Sequence, residues 1–297
     1  MIIGNVNLYV ITKGGKLRIM NLTAILPDFL TEIKIKTAKL TSELVDATSR
    51  GVLWQAALGR FLLDIPEVGR YLVEDGRRVV IDALPQAADE EVIRCFRMAP
   101  LSALLYQRNI PVFHAAAAAM PNREECILLA GDSGAGKSTL LVELLQRGWR
   151  LLADDLTIVG TDENGNLAVH PTSPEVVLWS NAVEKLGLTK TNNTSGRQVL
   201  SWSDRFVSKP LPLCAVYWLA VKTQDGFQLS ELEGVKRFQA MGLLAYNSHI
   251  ADALFDPKEY FRQAAVFAQS IPLYRLCRPR GCWSADKLAD MVEGNII

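Results

Sequence analysis

The apolar positions in the middle of the chain fall into short blocks of two kinds. Cys126-Ile127-Leu128-Leu129-Ala130 is an unbroken apolar run, the pattern of a buried strand. After a glycine-rich gap, Leu140, Leu141, Leu144 and Leu145 recur at helical spacing, with Glu143 and Gln146 off that face. Gly148 then marks the helix end. Leu151-Leu152-Ala153 predicts a short buried strand that closes on Asp154 and Asp155. Upstream, residues 110–113 predict a strand ending at His114, and the alanines of 115–119 a packed strand or helix. Downstream, 156–159 and 167–170 flank an Asp-Glu-Asn-Gly turn and predict a hairpin. Residues 180–186 predict a short helix with Ser180 as cap and Gly187 as stop. The stretch 189–209 is polar, rich in Thr, Asn, Ser and basic residues, and reads as a mobile loop. Residues 214–221 predict a buried strand, 235–246 and 257–269 two helices, 271–276 a last strand, and Ser284 onward a terminal helix.

The N-terminal third has a different rhythm. Residues 1–12 place Ile3, Val6, Leu8 and Val10 among polar neighbours, as a strand does. Residues 71–81 hold two β-rich runs around Asp75-Gly76, a hairpin signal, and 59–68 carries strand-like runs before it. Residues 1–85 therefore predict a small, β-rich α+β module, a candidate for substrate recognition. Residues 86–108 predict a connecting segment, in which 90–107 reads as one helix with Val92, Ile93, Phe96, Leu101, Leu104 and Leu105 as its apolar positions. Residues 109–297 predict the second unit. Strands alternating with helices place the fold in the α/β class.

Composition narrows the options. The chain has 297 residues and is 49% hydrophobic, ample for two packed cores. Lys+Arg and Asp+Glu are both 32, so no bulk charge favours nucleic acid or an anionic membrane. No apolar run reaches membrane-spanning length, and the N-terminus lacks a signal-peptide pattern, which predicts a cytoplasmic protein. The five cysteines are scattered and odd in number, as in a reducing compartment.

The gap before the helix carries the chemistry. Residues 131–138 read GDSGAGKS and fit G-x-x-x-x-G-K-[ST], the phosphate-cradling P-loop. Gly131, Gly134 and Gly136 let backbone wrap closely around phosphate oxygens, where a Cβ would intrude. Asp132, Ser133 and Ala135 complete the loop, and Thr139 follows it in the first helical turn. N–H groups then converge beside a helix N-terminus of partial positive charge. Lys137 adds a full charge for the β- and γ-phosphates, and Ser138 a hydroxyl for Mg²⁺. The ligands implied are ATP and Mg²⁺. Asp154 follows Lys137 by 17 residues, one helix, one turn and one strand away, so the acids end beside the loop. One acid can hold the metal while the other accepts a hydroxyl proton. His114 is a candidate for positioning a phosphate or tuning an acid. Arg197, Arg205 and Lys209 are candidates for a cation that meets the transferring phosphate, and Glu175 for a further metal ligand.

The run GDSGAGKSTLLVELLQRGWRLLADD, with His114 upstream, resembles the catalytic domain of bacterial HPr kinase/phosphorylase. The resemblance covers about 109–280 and is specific over 114–155. It implies a P-loop, phosphoenolpyruvate-carboxykinase-like mixed sheet and transfer of the ATP γ-phosphate to a protein serine. It also implies Lys137 on phosphate, Ser138 on the metal, Asp154 as base, and His114 with Asp155 completing the site. Two features depart from the family. Its glycine-containing phosphorolysis motif has no match around 175–190, and the N-terminal module is unlike the usual one. The Pro-Leu-Pro-Leu of 210–213 and the basic end of 274–280 resemble HPr-kinase-like proteins of peptide natural-product pathways, some of which phosphorylate a precursor peptide, including lasso peptides. A peptide or small protein bearing a serine is the implied partner, and homo-oligomerisation is left open. The alternatives are a kinase of a small hydroxylated metabolite, or a nucleotide-gated binding protein without transfer activity, against which the paired acids Asp154 and Asp155 argue.

Overall fold

A computed structural model of the chain describes residues 8–11, 17–20, 33–162, 165–189, 196–222 and 226–296. It divides into two units, Met1–Val112 with Tyr246–Phe261, and Phe113–Ala245 with Arg262–Ile297. In the first unit β1 (Leu8–Ile11) pairs antiparallel with β2 (Leu17–Met20). The rest of the strand predicted over 1–12 lies outside the described residues. A six-stranded sheet follows, of β3 (Lys34–Thr37), β4 (Ser49–Arg50), β5 (Trp54–Ala57), β6 (Arg60–Ile65), β7 (Gly69–Glu74) and β8 (Arg78–Ala83). Its order is β3-β8-β7-β6-β5-β4, antiparallel except for β3 against β8. β7 and β8 are the predicted hairpin. Asp75 and Gly76 turn the chain at φ +50° and +61°, backbone that Gly adopts freely and Asp tolerates.

The single helix expected over 90–107 is two, α1 (Asp89–Arg97) and α2 (Ala99–Tyr106). Met98 breaks it with ψ −110°, and Pro100 starts the second helix, where its missing N–H costs nothing. α1 buries Val92, Cys95 and Phe96 on one face, and the Tyr71 hydroxyl of β7 donates to Val92 O at 2.9 Å.

The second unit runs through β9 (Val112–Ala119), β10 (Cys126–Gly131), α3 (Lys137–Gln146), β11 (Arg150–Ala153), β12 (Leu156–Thr161) and β13 (Leu167–His170). Next come β14 (Glu175–Trp179), α4 (Ser180–Lys185), β15 (Arg197–Ser201), β16 (Leu211–Lys222), β17 (Gln228–Leu232) and α5 (Gly234–Leu243). α6 (Ser248–Leu254) belongs to the first unit, and α7 (Pro257–Ser270), β18 (Leu273–Pro279) and α8 (Ala285–Ile296) complete the chain. Eight strands form one mixed sheet. β10 lies between β9, antiparallel, and β16, parallel; β16 also pairs with β18, parallel, and β13, antiparallel. β17 flanks β18 and β11 flanks β9, both antiparallel.

The alanine run is strand, and its alternation explains its composition. Ala116 and Ala118 pack with Ile127, Leu129 and the leucines of α3; Ala115, Ala117 and Ala119 pack with Leu128, Ala130 and Phe267. Both faces are covered, so β10 is apolar throughout. Leu140, Leu141, Leu144 and Leu145 are all buried, each contributing about 1.5–3 kcal/mol. That burial anchors α3 on the sheet and fixes where its first turn lies.

The stretch expected as a loop over 189–209 is ordered where it is described. Arg197–Ser201 is β15, paired antiparallel with β14, and Ser203–Arg205 is a 3₁₀ turn; residues 190–195 lie outside the described part. Ser180 does not cap α4. Its hydroxyl donates to Gly196 O at 3.1 Å and ties the helix start to the β14–β15 ribbon. No helix among the described residues is long and apolar enough to cross a membrane.

Candidate active site

Gly131 ends β10 and Lys137 opens α3, so the glycine loop joins the central strand to the helix. Gly131, Gly134 and Gly136 have φ +136°, +82° and +109°. A Cβ on Gly131 would lie 2.5 Å from Leu219 O of β16, too close for any other residue. Asp132, Ser133 and Gly134 are exposed, whereas Ala135 turns into the core. No side chain caps α3, so its positive end is left to the loop.

Lys137 is only 7% exposed, and its ammonium is spoken for. It donates to Gly131 O at 2.7 Å and Asp132 O at 3.3 Å, and lies 2.8 Å from His114 Nε2. Burial pulls its pKa below the ordinary lysine value, while Asp155, Asp154 and Asp132 act the other way. With the ammonium charged, Nε2 must accept. The ring proton then sits on Nδ1, which faces Asp155 Oδ1 at 3.1 Å. The result is a continuous row, Lys137, His114, Asp155.

The two acids diverge because of the turn between them. Leu156 N–H donates to Asp154 O at 2.9 Å, the i→i+2 bond of a γ-turn, and Asp155 sits at φ +70°. Asp154 points toward α3 and the ribbon. Its Oδ1 accepts from Ser138 Oγ at 2.8 Å and its Oδ2 from Val177 N–H at 3.1 Å. Burial pushes its carboxyl up to about 6, against those two hydrogen bonds. Asp155 points toward His114 and is the more exposed of the pair. Burial acts to raise Asp155 too, but the His114 hydrogen bond and the charges of Lys137 and Arg197 outweigh it and hold it low.

Asp154 makes stability depend on pH. Its folded pKa is raised, so the stabilisation it contributes is complete below about pH 4 and is lost as pH rises through about 6. Asp154→Asn stays neutral throughout. Without added metal, its melting temperature should gain on the parent by about 3 °C between pH 4 and pH 7.5. Scanning calorimetry that finds a pH-independent difference contradicts this.

His114, Ser133, Gly134, Gly136, Lys137, Ser138, Thr139, Asp154 and Asp155 line one cleft of ≈ 230 Å³ with Val177, Leu178, Trp179 and Arg197 of the ribbon. Gly131, Asp132 and Ala135 shape the loop behind it. Arg197 stacks over the Trp179 ring at 4.6 Å. Three other expected site residues, Arg205, Glu175 and Lys209, are not brought into this cleft. Arg205 donates to Leu145 O at the far, C-terminal end of α3, and Glu175 begins β14 outside the cleft lining. Lys209 pairs with Glu124. One residue is added. Arg278 of β18 donates from Nε to Ala135 O at 3.0 Å and from Nη2 to Gly134 O at 3.3 Å. It lies more than a hundred residues from the loop, within the basic end of 274–280 that carries the family resemblance but is not expected from sequence to reach the site.

No family model matches the chain. Two curated HPr kinase/phosphorylase sequences of Limosilactobacillus reuteri, from strain DSM 20016 and from subsp. reuteri strain JCM 1112, are each 32% identical to it over 79 residues. The match covers 27% of this chain and 24% of each relative, so the chain spans about a quarter of the length of the curated relatives it matches. A solved structure, the Hpr(Ser) kinase/phosphatase from Coxiella burnetii, aligns over 62% of this chain and 93% of that one at 12% identity and a TM-score of 0.33. Over its 79 matched residues this chain is similar to HPr kinase/phosphorylase, the family its sequence resembles.

Proposed function

We propose that the chain is an ATP- and Mg²⁺-dependent kinase of the P-loop, phosphoenolpyruvate-carboxykinase-like type, transferring the γ-phosphate to a serine hydroxyl of a peptide or small protein. One observation carries this: an ammonium, a hydroxyl, two carboxylates and an imidazole converge on one cleft at a glycine loop. The curated relatives are named for a kinase activity, which agrees.

The residues present fit both ligands. The loop offers a cradle that a Cβ at Gly131 would disrupt, a buried ammonium and an uncapped helix start. Ser138 Oγ and Asp154 are hard oxygen donors side by side, which suits Mg²⁺. Among the described residues no three His, Cys, Asp or Glu side chains are grouped to hold a metal. A cation that shares its shell between one or two protein oxygens and substrate phosphates needs no such group. When bound, Mg²⁺ supplies positive charge against the phosphates.

The geometry favours a division of labour opposite to the sequence-based expectation. Asp154 is engaged by Ser138 and Val177, and a cation there would draw its carboxyl back toward the charged form. Asp155 is the acid that His114 orients toward solvent-accessible space, and it is ionised at neutral pH. We assign Asp155 as the acceptor of the hydroxyl proton and Asp154 to the metal side. Lys137 holds the phosphate end, and His114 fixes Asp155 while accepting from Lys137. Incubation with γ-labelled ATP, Mg²⁺ and serine peptides should give acid-stable phosphoserine. ATP binding with no phosphoproduct from any hydroxyl acceptor defeats the proposal.

Arg278 prepares the cradle in this reading. By holding Ala135 O outward, it turns the Gly136 N–H of the same peptide plane the opposite way, toward the anion. Arg278→Gln should weaken Mg-ATP binding about tenfold by titration calorimetry, with Arg278→Lys intermediate. Unchanged affinity in both variants removes the role.

A further inference from the structure

The β14–β15 ribbon has an outer face that water alone does not explain. Along β14, Val176 and Leu178 are buried, and along β15 Gln198 is buried. The alternate positions face out: Val177 is 40% exposed, Trp179 56% and Val199 44%, beside the exposed polar residues Glu175, Arg197 and Ser201. Val177 lies opposite Val199, and Trp179 opposite Arg197. This puts a cross-strand valine pair and a tryptophan on one exposed face, where a solvated ribbon would carry polar residues.

The face is continuous with the cleft, and it enters from the side of the carboxylates. Val177 and Trp179 line the cleft; Val177 N–H is bonded to Asp154, and the Arg197 charge acts on Asp155. The glycine loop and α3 make up the other side, where the polyphosphate belongs. Its extent also bears on the occupant. The apolar positions run over two cross-strand pairs, Val177–Val199 and Trp179–Arg197, roughly 7 Å along strands of five residues. A nucleobase would cover one ring. An extended peptide presents side chains at the same repeat as the ribbon.

We infer that this ribbon face is the acceptor subsite: it takes an extended peptide whose apolar side chain, next to the phosphorylated serine, packs on Trp179 and the Val177–Val199 pair. The inference rests on the kinase reading above and deepens it. Arg197 holds the indole in place from the opposite strand by its cation–π contact. Selectivity then comes from burying an apolar side chain on a rigid aromatic surface.

The test is a serine-centred peptide library, each flanking position fixed in turn, with Mg-ATP and the full chain. The parent should select a large apolar residue at one flanking position, by about tenfold over Ser or Asp there. Trp179→Ala and Val199→Ser should each flatten that selection by raising KM for the selected peptide about tenfold, and Trp179→Phe should retain most of it. Both changes are at exposed positions, and a melting scan checks the fold. Selection that is absent in the parent, or unchanged in both variants, overturns the inference. Loss of ATP affinity in Trp179→Ala with peptide selection intact makes the face a nucleobase platform and also overturns it. If ATP is hydrolysed but no peptide accepts phosphate, the peptide subsite fails and the nucleotide site stands. If ATP neither binds nor turns over, the kinase reading itself has failed.

Discussion

Asp155→Asn is expected to lower phosphoryl transfer about a thousandfold while ATP affinity stays within about twofold. The size follows from what the carboxylate does. A positioned base contributes about 10²–10⁴ in rate, and this one is oriented by a hydrogen bond from His114 Nδ1 at 3.1 Å. The γ-turn that carries Asp155 at φ +70° separates it from Asp154, so each acid answers to a different partner. Asn keeps the size and accepts from His114, but it cannot take a proton. Asp154→Asn should behave differently. Its loss should be partly restored by raising Mg²⁺, because the change weakens the metal side rather than the base. Initial rates across a Mg²⁺ titration separate the two. If Asp154→Asn abolishes transfer at every Mg²⁺ concentration and Asp155→Asn keeps normal turnover, the roles are reversed. His114→Ala should lie between, since Asp155 keeps its charge but loses its orientation.

The glycine loop and paired acids were legible because their chemistry is local. A strand, a tight loop and a helix occupy consecutive residues, and each leaves its own period in the sequence. Asp75-Gly76 was legible for the same reason, as a turn written in two residues. The ribbon was not. In Val176-Val177-Leu178-Trp179 all four residues are apolar, so the alternation between core and exposed face does not show. In β15 the buried position is Gln198, which masks the period again. The strand forms because its backbone pairs with β14, a contact no window along the chain contains. Arg278 is further still from view. Its part depends on β18 lying parallel to β16, next to the strand that leads into the loop. Arg205 illustrates the converse. A basic residue in a polar stretch suggested a mobile cation, but its guanidinium satisfies a helix-end carbonyl at Leu145.

Lys137→Met should weaken Mg-ATP binding by at least tenfold and lower turnover by a further factor of about a hundred, without loss of thermal stability. The argument turns on the state of the ammonium before any anion arrives. It is buried, and Gly131 O, Asp132 O and His114 Nε2 stand in for water. Burial already disfavours its charge, so replacing it with an apolar stem of similar length removes a desolvation cost along with the hydrogen bonds. The melting temperature should therefore hold or rise. A phosphate facing the same ammonium meets it in a water-poor cleft, where attraction is stronger than in bulk water. Removing the charge costs most where negative charge builds during transfer, so turnover falls beyond the loss in binding. Lys137→Arg should not rescue, because a planar guanidinium cannot take the place of a compact ammonium between two loop carbonyls and an imidazole. Calorimetric titration with Mg-ATP, a melting scan and single-turnover transfer measure the three quantities separately. A variant that melts far lower yet binds ATP as the parent does would make Lys137 a fold-stabilising residue and leave the loop without its anion-binding charge.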